Sequence, residues 1–327
     1  MPAQPLSRRA LWIGGACALA VLAIWTAFIL VARSSARHTL TPFDIAFLRF
    51  VFSGAIALPI ALWRWPALRQ GLGGAAAPGR MAALSLTAGI GYCGFAYSGF
   101  FFAPAAHAAV LLPGSLPLWT AVFAVLLLGD RLTAPRLAGL ALIVAGDLLV
   151  GGNSLLHAFD GGELWKGDLL FLGGSACWAL YGVLCRRWRV GAVDATLAIA
   201  VGCLVSYVPL FALGAASGLV SSHIAAAPWR EIVFQAVFQG GFSMLVAGWA
   251  FTQVVATFGP VRTTMMTALV PGLAALAAVP LLGENLGAAA LGGLVCVTCG
   301  LLLGLRQAGP APAPGPVSVA APKERAA

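Results

Sequence analysis

Apolar runs close to twenty residues long fill the chain from residue 11 to residue 305, separated by short breaks of charge, proline and glycine. A helix that crosses a bilayer needs about 20 apolar residues at a rise of about 1.5 Å each. Ten runs meet that requirement, at 11–32, 43–63, 81–102, 107–128, 135–151, 167–185, 194–217, 231–252, 260–282 and 287–305. None shows the period-two alternation of a barrel strand, and in lipid a helix satisfies its own backbone. The pattern predicts an all-α integral membrane protein of ten transmembrane helices. The first run is too long for the core of a cleaved signal peptide, and no cleavage site follows it. Beyond Arg306 the chain ends in GPAPAPGPVSVAAPKERAA, which lacks apolar periodicity and predicts a disordered tail over 306–327.

Composition agrees with the pattern. Of 327 residues 61% are hydrophobic and 9% charged, against about 25% charged in an ordinary soluble domain. This excludes a soluble enzyme, whose surface could not hide so much apolar area. The formal charge is +9, but the basic residues lie between apolar runs, so they read as topology signals and not as a nucleic-acid surface. With the N-terminal residues 1–10 inside, fourteen Lys and Arg fall in cytoplasmic breaks and only Arg33, Arg37, Lys166 and Arg230 outside. A missed helix would scramble that alternation. The bias therefore predicts two cytoplasmic termini and an external linker at 152–166, in a cell (inner or plasma) membrane. All seven cysteines sit in apolar runs, and the Cys296/Cys299 pair has no companion ligands, so neither a disulfide framework nor a metal site is expected.

The chain repeats itself. At a shift of 154, LLLGDRL (126–132) falls on PLLGENL (280–286), and 15 of the 33 positions from Pro117 to Leu149 are identical. Trp25 meets Trp178 and Arg33 meets Arg186 at a shift of 153. The units are 11–151 and 167–305. Five helices is an odd number, so the second unit enters the membrane from the opposite face. That inverted arrangement serves alternating access in many secondary transporters.

The segments LTPFDIAFLRF (40–50), LLLGDRL, GDLLFLGGSACWALYGVLCRRW (167–188) and PLLGENL resemble the EamA-type branch of the drug/metabolite transporter superfamily. The resemblance covers about residues 11 to 305. It implies a ten-helix exporter or importer of small organic metabolites, with export the direction expected; an aromatic wall suits substrates with an apolar body, such as amino acids or drug-like amphiphiles. The sequence departs from the usual pattern at Thr26-Ala27-Phe28 after Trp25, at Asp130 in place of Glu, and at Asn285 where Arg is common. These departures leave the substrate class open. A passive pore or a receptor-like scaffold is the alternative, although no ring of like charges or carbonyl filter is visible.

Catalysis has little to work with: the sequence holds no serine-nucleophile motif, no phosphate-binding loop and no paired intramembrane aspartates. Neither an enzymatic activity nor a cofactor is expected. Polar residues within the bilayer are expensive, so their placement carries information. Gln235, Gln239 and Ser243 stand at i, i+4, i+8 on the eighth run, and Thr263, Thr267 and Pro271 repeat the spacing on the ninth. Their repeat partners include Ser85 and Pro117, with Pro113 alongside. Together with the aromatic residues Trp25, Tyr92, Trp178 and Tyr181 they make a candidate cavity wall. Interhelical hydrogen bonding and static kinks are the plainer readings. Arg49, His107 and Asp147 are candidates for ion or proton coupling, and Arg49 also for binding a substrate carboxylate; a snorkelling or structural arginine and a solvated edge aspartate are the plainer readings. Gly300 and Gly304 form a GxxxG that suits internal packing or a homodimer face. The expected partners are a small-molecule substrate and the lipid bilayer.

Overall fold

The computed structural model describes residues 8–156 and 161–305; the tail at 306–327 and most of the N-terminal segment lie outside the described residues. Among those described, every regular element is helical. The long helices are α1 (Arg8–Ser35), α2 (Pro42–Trp63), α3 (77–102), α4 (Ala105–Leu128), α5 (Ala134–Gly152), α6 (Leu164–Trp188), α7 (Ala192–Ala216), α8 (229–258), α9 (Pro260–Thr267 and Val270–Leu282) and α10 (Ala288–Leu305). Eight are long and apolar enough to cross a membrane: α1, α2, α4 to α8, and the Met265–Leu282 part of α9. The ten crossings expected from the sequence are therefore reduced to eight on that measure. The two that fall short have physical reasons. Glycines, Ser85, Thr87 and two tyrosines dilute α3, and the apolar stretch of α10 is short, at Ala288–Leu303.

The ends of the helices follow from local chemistry. Thr41 and Asp44 form a capping box at the start of α2, each side chain accepting from the other's backbone N–H. Asp44 also accepts from Ser222 Oγ (2.7 Å) and His223 N (2.9 Å), which fastens the 217–228 connection over that end. α4 and α9 stop alike. Gly129 and Gly283 adopt left-handed φ values of 72° and 66°, and the following Asp130 and Glu284 N–H groups reach back to Ala124 and Ala278.

Four helices carry wide, π-type turns: α3 at Ser85–Gly91, α4 at Val110–Gly114, α5 at Leu148–Gly152 and α8 at Ala236–Val246. Shifted by 154, the turn in α3 falls inside that of α8, and the one in α4 falls on 264–268, where the first piece of α9 ends and the break at 268–269 begins. Prolines account for part of this, since Pro113, Pro117 and Pro271 withhold backbone donors. The 260–282 run, read from sequence as one helix, is thus two.

Packing is crosswise between the halves. α1 lies on α8 and α9, and its counterpart α6 lies on α3 and α4; α2 meets α8 as α7 meets α3. α5 and α10 cross through glycines. A Cβ on Gly300 would come within 2.6 Å of the Gly139 carbonyl oxygen, and one on Gly146 within 2.7 Å of that of Gly293. Gly139 and Gly293 are repeat partners, as are Gly146 and Gly300. Each glycine therefore faces the partner of the other. That exchange is the signature of a two-fold axis passing between antiparallel helices, perpendicular to both. It assigns Gly300 to packing within the chain.

Candidate functional site

Two ion pairs mark opposite ends of the bundle and obey the same exchange. Arg33, at the end of α1, binds Glu284 after α9, with Nε 2.7 Å from Oε1. Arg186, at the end of α6, binds Asp130 after α4, with Nη2 2.6 Å from both carboxylate oxygens. The pairs differ in their surroundings. Arg33 and Glu284 keep 19% and 8% side-chain exposure, whereas Arg186 and Asp130 keep 54% and 27%. Arg33 Nη1 also donates to the Phe100 carbonyl (2.6 Å), and Glu284 Oε2 accepts from Ala105 N (2.8 Å). The first pair thereby ties α1 and α9 to the α3–α4 connection. The second stands nearly alone.

Between these ends lies a cleft of about 660 Å³, part of it open, lined by Trp25, Phe28, Ile29, Arg49, Tyr92, Leu112, Pro113, Leu116, Trp178, Ser243 and Val270. Every helix except α5, α7 and α10 contributes a wall. One side is aromatic: Tyr92 packs on Phe28 at 6.2 Å and on Trp178 at 4.8 Å between ring centroids, and Trp178 on Tyr181 at 5.1 Å. Trp25 stacks on Phe251 at 5.4 Å.

The cleft's one charged lining residue is Arg49, with 5% of its surface exposed. Its Nη1 donates to Tyr97 Oη and Ser243 Oγ, both at 3.2 Å. Tyr97 in turn donates to Gln239 Oε1 (2.9 Å), Gln239 to Gln235 Oε1 (3.4 Å), and Gln235 to Ser35 Oγ (2.6 Å). Ser35 ends the chain on the Val31 carbonyl (2.7 Å). A relay of neutral groups thus crosses four helices and finishes on the guanidinium. Arg49 Nε is sealed from solvent with no partner. Gly240 lets α8 come close here, since a Cβ would lie 2.7 Å from the Arg49 carbonyl oxygen.

The residues singled out from sequence are distributed as follows. Trp25, Tyr92, Pro113, Trp178 and Ser243 line the cleft together with Arg49. Tyr181 stands behind Trp178, and Gln239 is wholly buried behind Tyr97. Ser85 is buried and donates to the Ala198 carbonyl of α7 (3.3 Å), Thr263 donates to Gly259 O (2.8 Å), and Pro271 is buried in α9. Pro117 and Thr267 are half-buried and outside the lining. For Ser85 and Thr263 the plain reading, hydrogen bonding between or within helices, describes the geometry.

Arg49 does not snorkel to an interface. His107 Nδ1 lies 2.8 Å from Asp168 Oδ1, and Ser154 Oγ bonds the other oxygen of that carboxylate. Asp147, taken from its position as a solvated edge residue, has both carboxylate oxygens buried without a partner. The reason is that the helix does not end at 151 but continues through its wide turn and on through Asn153–Leu156.

Sequence reasoning passed over Tyr97 and Asp168. Tyr97 was one aromatic residue among many; its place opposite Arg49 follows from the tertiary contact alone. Asp168 opens the sixth apolar run, and its pairing with His107 spans 61 positions. Among the described residues no cluster of His, Cys, Asp and Glu is arranged to hold a metal ion.

A multi-pass helical bundle of two interlocked halves, with an aromatic cleft between them and an ion pair at either end, defines a membrane transporter. The model of the EamA-like transporter family matches residues 12–152 and again 165–306, and the chain belongs to that family. It is 29% identical over 166 residues to an uncharacterized transporter, YyaM, of Bacillus subtilis (strain 168), a match covering 49% of this chain and 52% of that one. The chain thus spans about half the length of that curated relative. A solved crystal structure of another protein superposes with a TM-score of 0.51 at 23% identity, covering 91% of this chain and 96% of that one. That likeness concerns the fold alone.

Proposed function

We propose that the protein is a secondary carrier that moves a small organic solute by alternating access, its two halves rocking about the cleft. The observation that carries this reading is the pair of exchanged ion pairs. Arg33–Glu284 and Arg186–Asp130 join the same helix ends in the two repeats at opposite faces of the bundle. A pore needs no such matched closures; a carrier that opens to each side in turn needs one at each.

In this reading the chain crosses the inner or plasma membrane ten times. α3 and α10 complete the eight longer spans, with Ser85, Thr87, Gly89, Gly293 and Gly300 buried against protein. The fourteen-to-four bias of Lys and Arg supports an orientation with both termini in the cytoplasm. Arg33 and Glu284 then close the outer end, and Arg186 and Asp130 the inner end. Export is the direction proposed, on the family resemblance.

Counterflow tests the carrier reading. Proteoliposomes preloaded with an unlabelled solute of the transported class should take up the labelled solute transiently above equilibrium. A passive route gives simple equilibration, and that result would overturn the proposal.

A further inference from the structure

We propose that Arg49 is an anion receptor and that the transported solute is a small organic carboxylate whose apolar body lies between the aromatic rings of the cleft; this rests on the carrier reading above. Five ion pairs occur among the described residues, and none involves Arg49. Its neighbours Tyr97 and Ser243 are neutral, as are Gln239 and Gln235 behind them. A buried cation with only neutral partners leaves much of its desolvation uncompensated. A guanidinium carries five donors in a planar fork that matches a carboxylate. Here one nitrogen is committed and Nε is unpartnered.

The repeat sharpens the point. Asp130, Glu284, Arg33 and Arg186 all have counterparts, as structural charges in a two-fold scaffold should. At shifts between 150 and 154, Arg49 corresponds to the segment 199–203, Ile-Ala-Val-Gly-Cys, which holds no basic residue. Nothing in the scaffold's symmetry calls for this cation. The relay from Ser35 to Tyr97 has the right polarity for a receptor: each hydroxyl or amide donates away from Arg49, so the Tyr97 oxygen offers its lone pairs to the guanidinium and holds it in place. Trp25, Phe28, Tyr92 and Trp178 supply flat apolar surface beside it. One charged anchor and an apolar wall together select an acid with an apolar body over an amine of the same shape.

The test compares three probes of one shape: phenylacetate, phenylacetamide and phenethylamine. Quenching of tryptophan fluorescence in the purified full-length protein reads occupancy beside Trp25 and Trp178. Phenylacetate should bind on the order of tenfold or more tighter than the amide, the size of a charge-assisted hydrogen bond, and the amine weaker still. Arg49→Gln should erase the preference for the acid, and Arg49→Lys should keep part of it. Equal binding of the three probes, no saturable binding of phenylacetate, or an acid preference surviving in Arg49→Gln would overturn the proposal. Thermal melting without ligand separates a structural role. A receptor arginine is a cost in the empty state, so Arg49→Gln should melt no lower than the parent. A clear drop in melting temperature that Arg49→Lys reverses, with binding and melting lost together, would assign Arg49 to the scaffold. Acid-selective binding without counterflow would sink the carrier reading and leave the receptor; counterflow without acid preference would do the reverse.

Discussion

In the carrier proposed above, replacing Glu284 with Gln should open the outer end far more than replacing Asp130 with Asn opens the inner end. Glu284 and Arg33 are mostly buried, and four groups meet there: the two side chains, the Phe100 carbonyl and the Ala105 N–H. Exposed ion pairs contribute about 0–1 kcal/mol, and breaking a buried one costs about 3–5 kcal/mol. At 19% and 8% exposure the outer pair falls between these limits, at about 2 kcal/mol. Glutamine preserves shape and one acceptor but strands the Arg33 charge. The equilibrium between closed and open outer ends should then shift about thirtyfold, since about 1.4 kcal/mol is a factor of ten. The inner pair keeps 54% and 27% exposure, which limits Asp130→Asn to about 0.5 kcal/mol, or about twofold. The assay is the rate at which an impermeant maleimide labels a cysteine placed at Leu112, a residue of the cleft, after removal of the native cysteines. Right-side-out vesicles report the outer end and inside-out vesicles the inner. An unchanged rate in Glu284→Gln, or an equal acceleration from Asp130→Asn at the other face, would refute the assignment of these pairs as unequal closures.

Three further outcomes are expected. Reporter fusions after Gly152 and after Arg306 should report opposite compartments; the same compartment for both would break the ten-span topology. Gly146→Leu should lower the melting temperature and the yield of folded protein, because its side chain would press on the Gly293 carbonyl 2.7 Å from the Cβ position, and overpacking costs about 1–3 kcal/mol; Gly151, with open space around its Cβ position, is the control that should tolerate the change to Ala. Tyr97→Phe should weaken solute binding about three- to tenfold while membrane abundance stays constant, because it removes the hydroxyl that links Arg49 to Gln239, a contribution of about 0.5–1.5 kcal/mol; abundance falling in step with binding would point to a packing role for the hydroxyl.

Helix positions were legible in the sequence because lipid imposes a length and a polarity on every crossing. Cleft walls were legible where the repeat made them stand out, as with Trp25 and Trp178, or where proline did, as with Pro113. The relay was half legible: Gln235, Gln239 and Ser243 share a face of α8, but the hydroxyls they meet, Ser35 and Tyr97, lie on other helices. Arg49 shows the limit most clearly. An arginine seven residues into an apolar run fits an interface, a scaffold or a site equally well on composition. Only the neighbours decide, and they come from α3 and α8. Asp147 misled for a local reason, since the helix does not stop at Gly151 and Gly152 but goes on through Asn153–Leu156.

The glycine crossing of α5 and α10 has a consequence for chains shorter than this one. Because Gly139 faces the counterpart of Gly146 and the reverse, the surface of α5 is complementary to an upside-down copy of itself. The first half, made as a separate polypeptide, would present a face that fits another molecule of the same polypeptide inserted in the opposite sense. The basic residues that orient each copy identically in the membrane would be the obstacle to that pairing. Fusing the two halves removes the obstacle: one chain delivers both orientations in fixed proportion, and each half is then at liberty to diverge, as α2 has done by placing a cation where α7 has none.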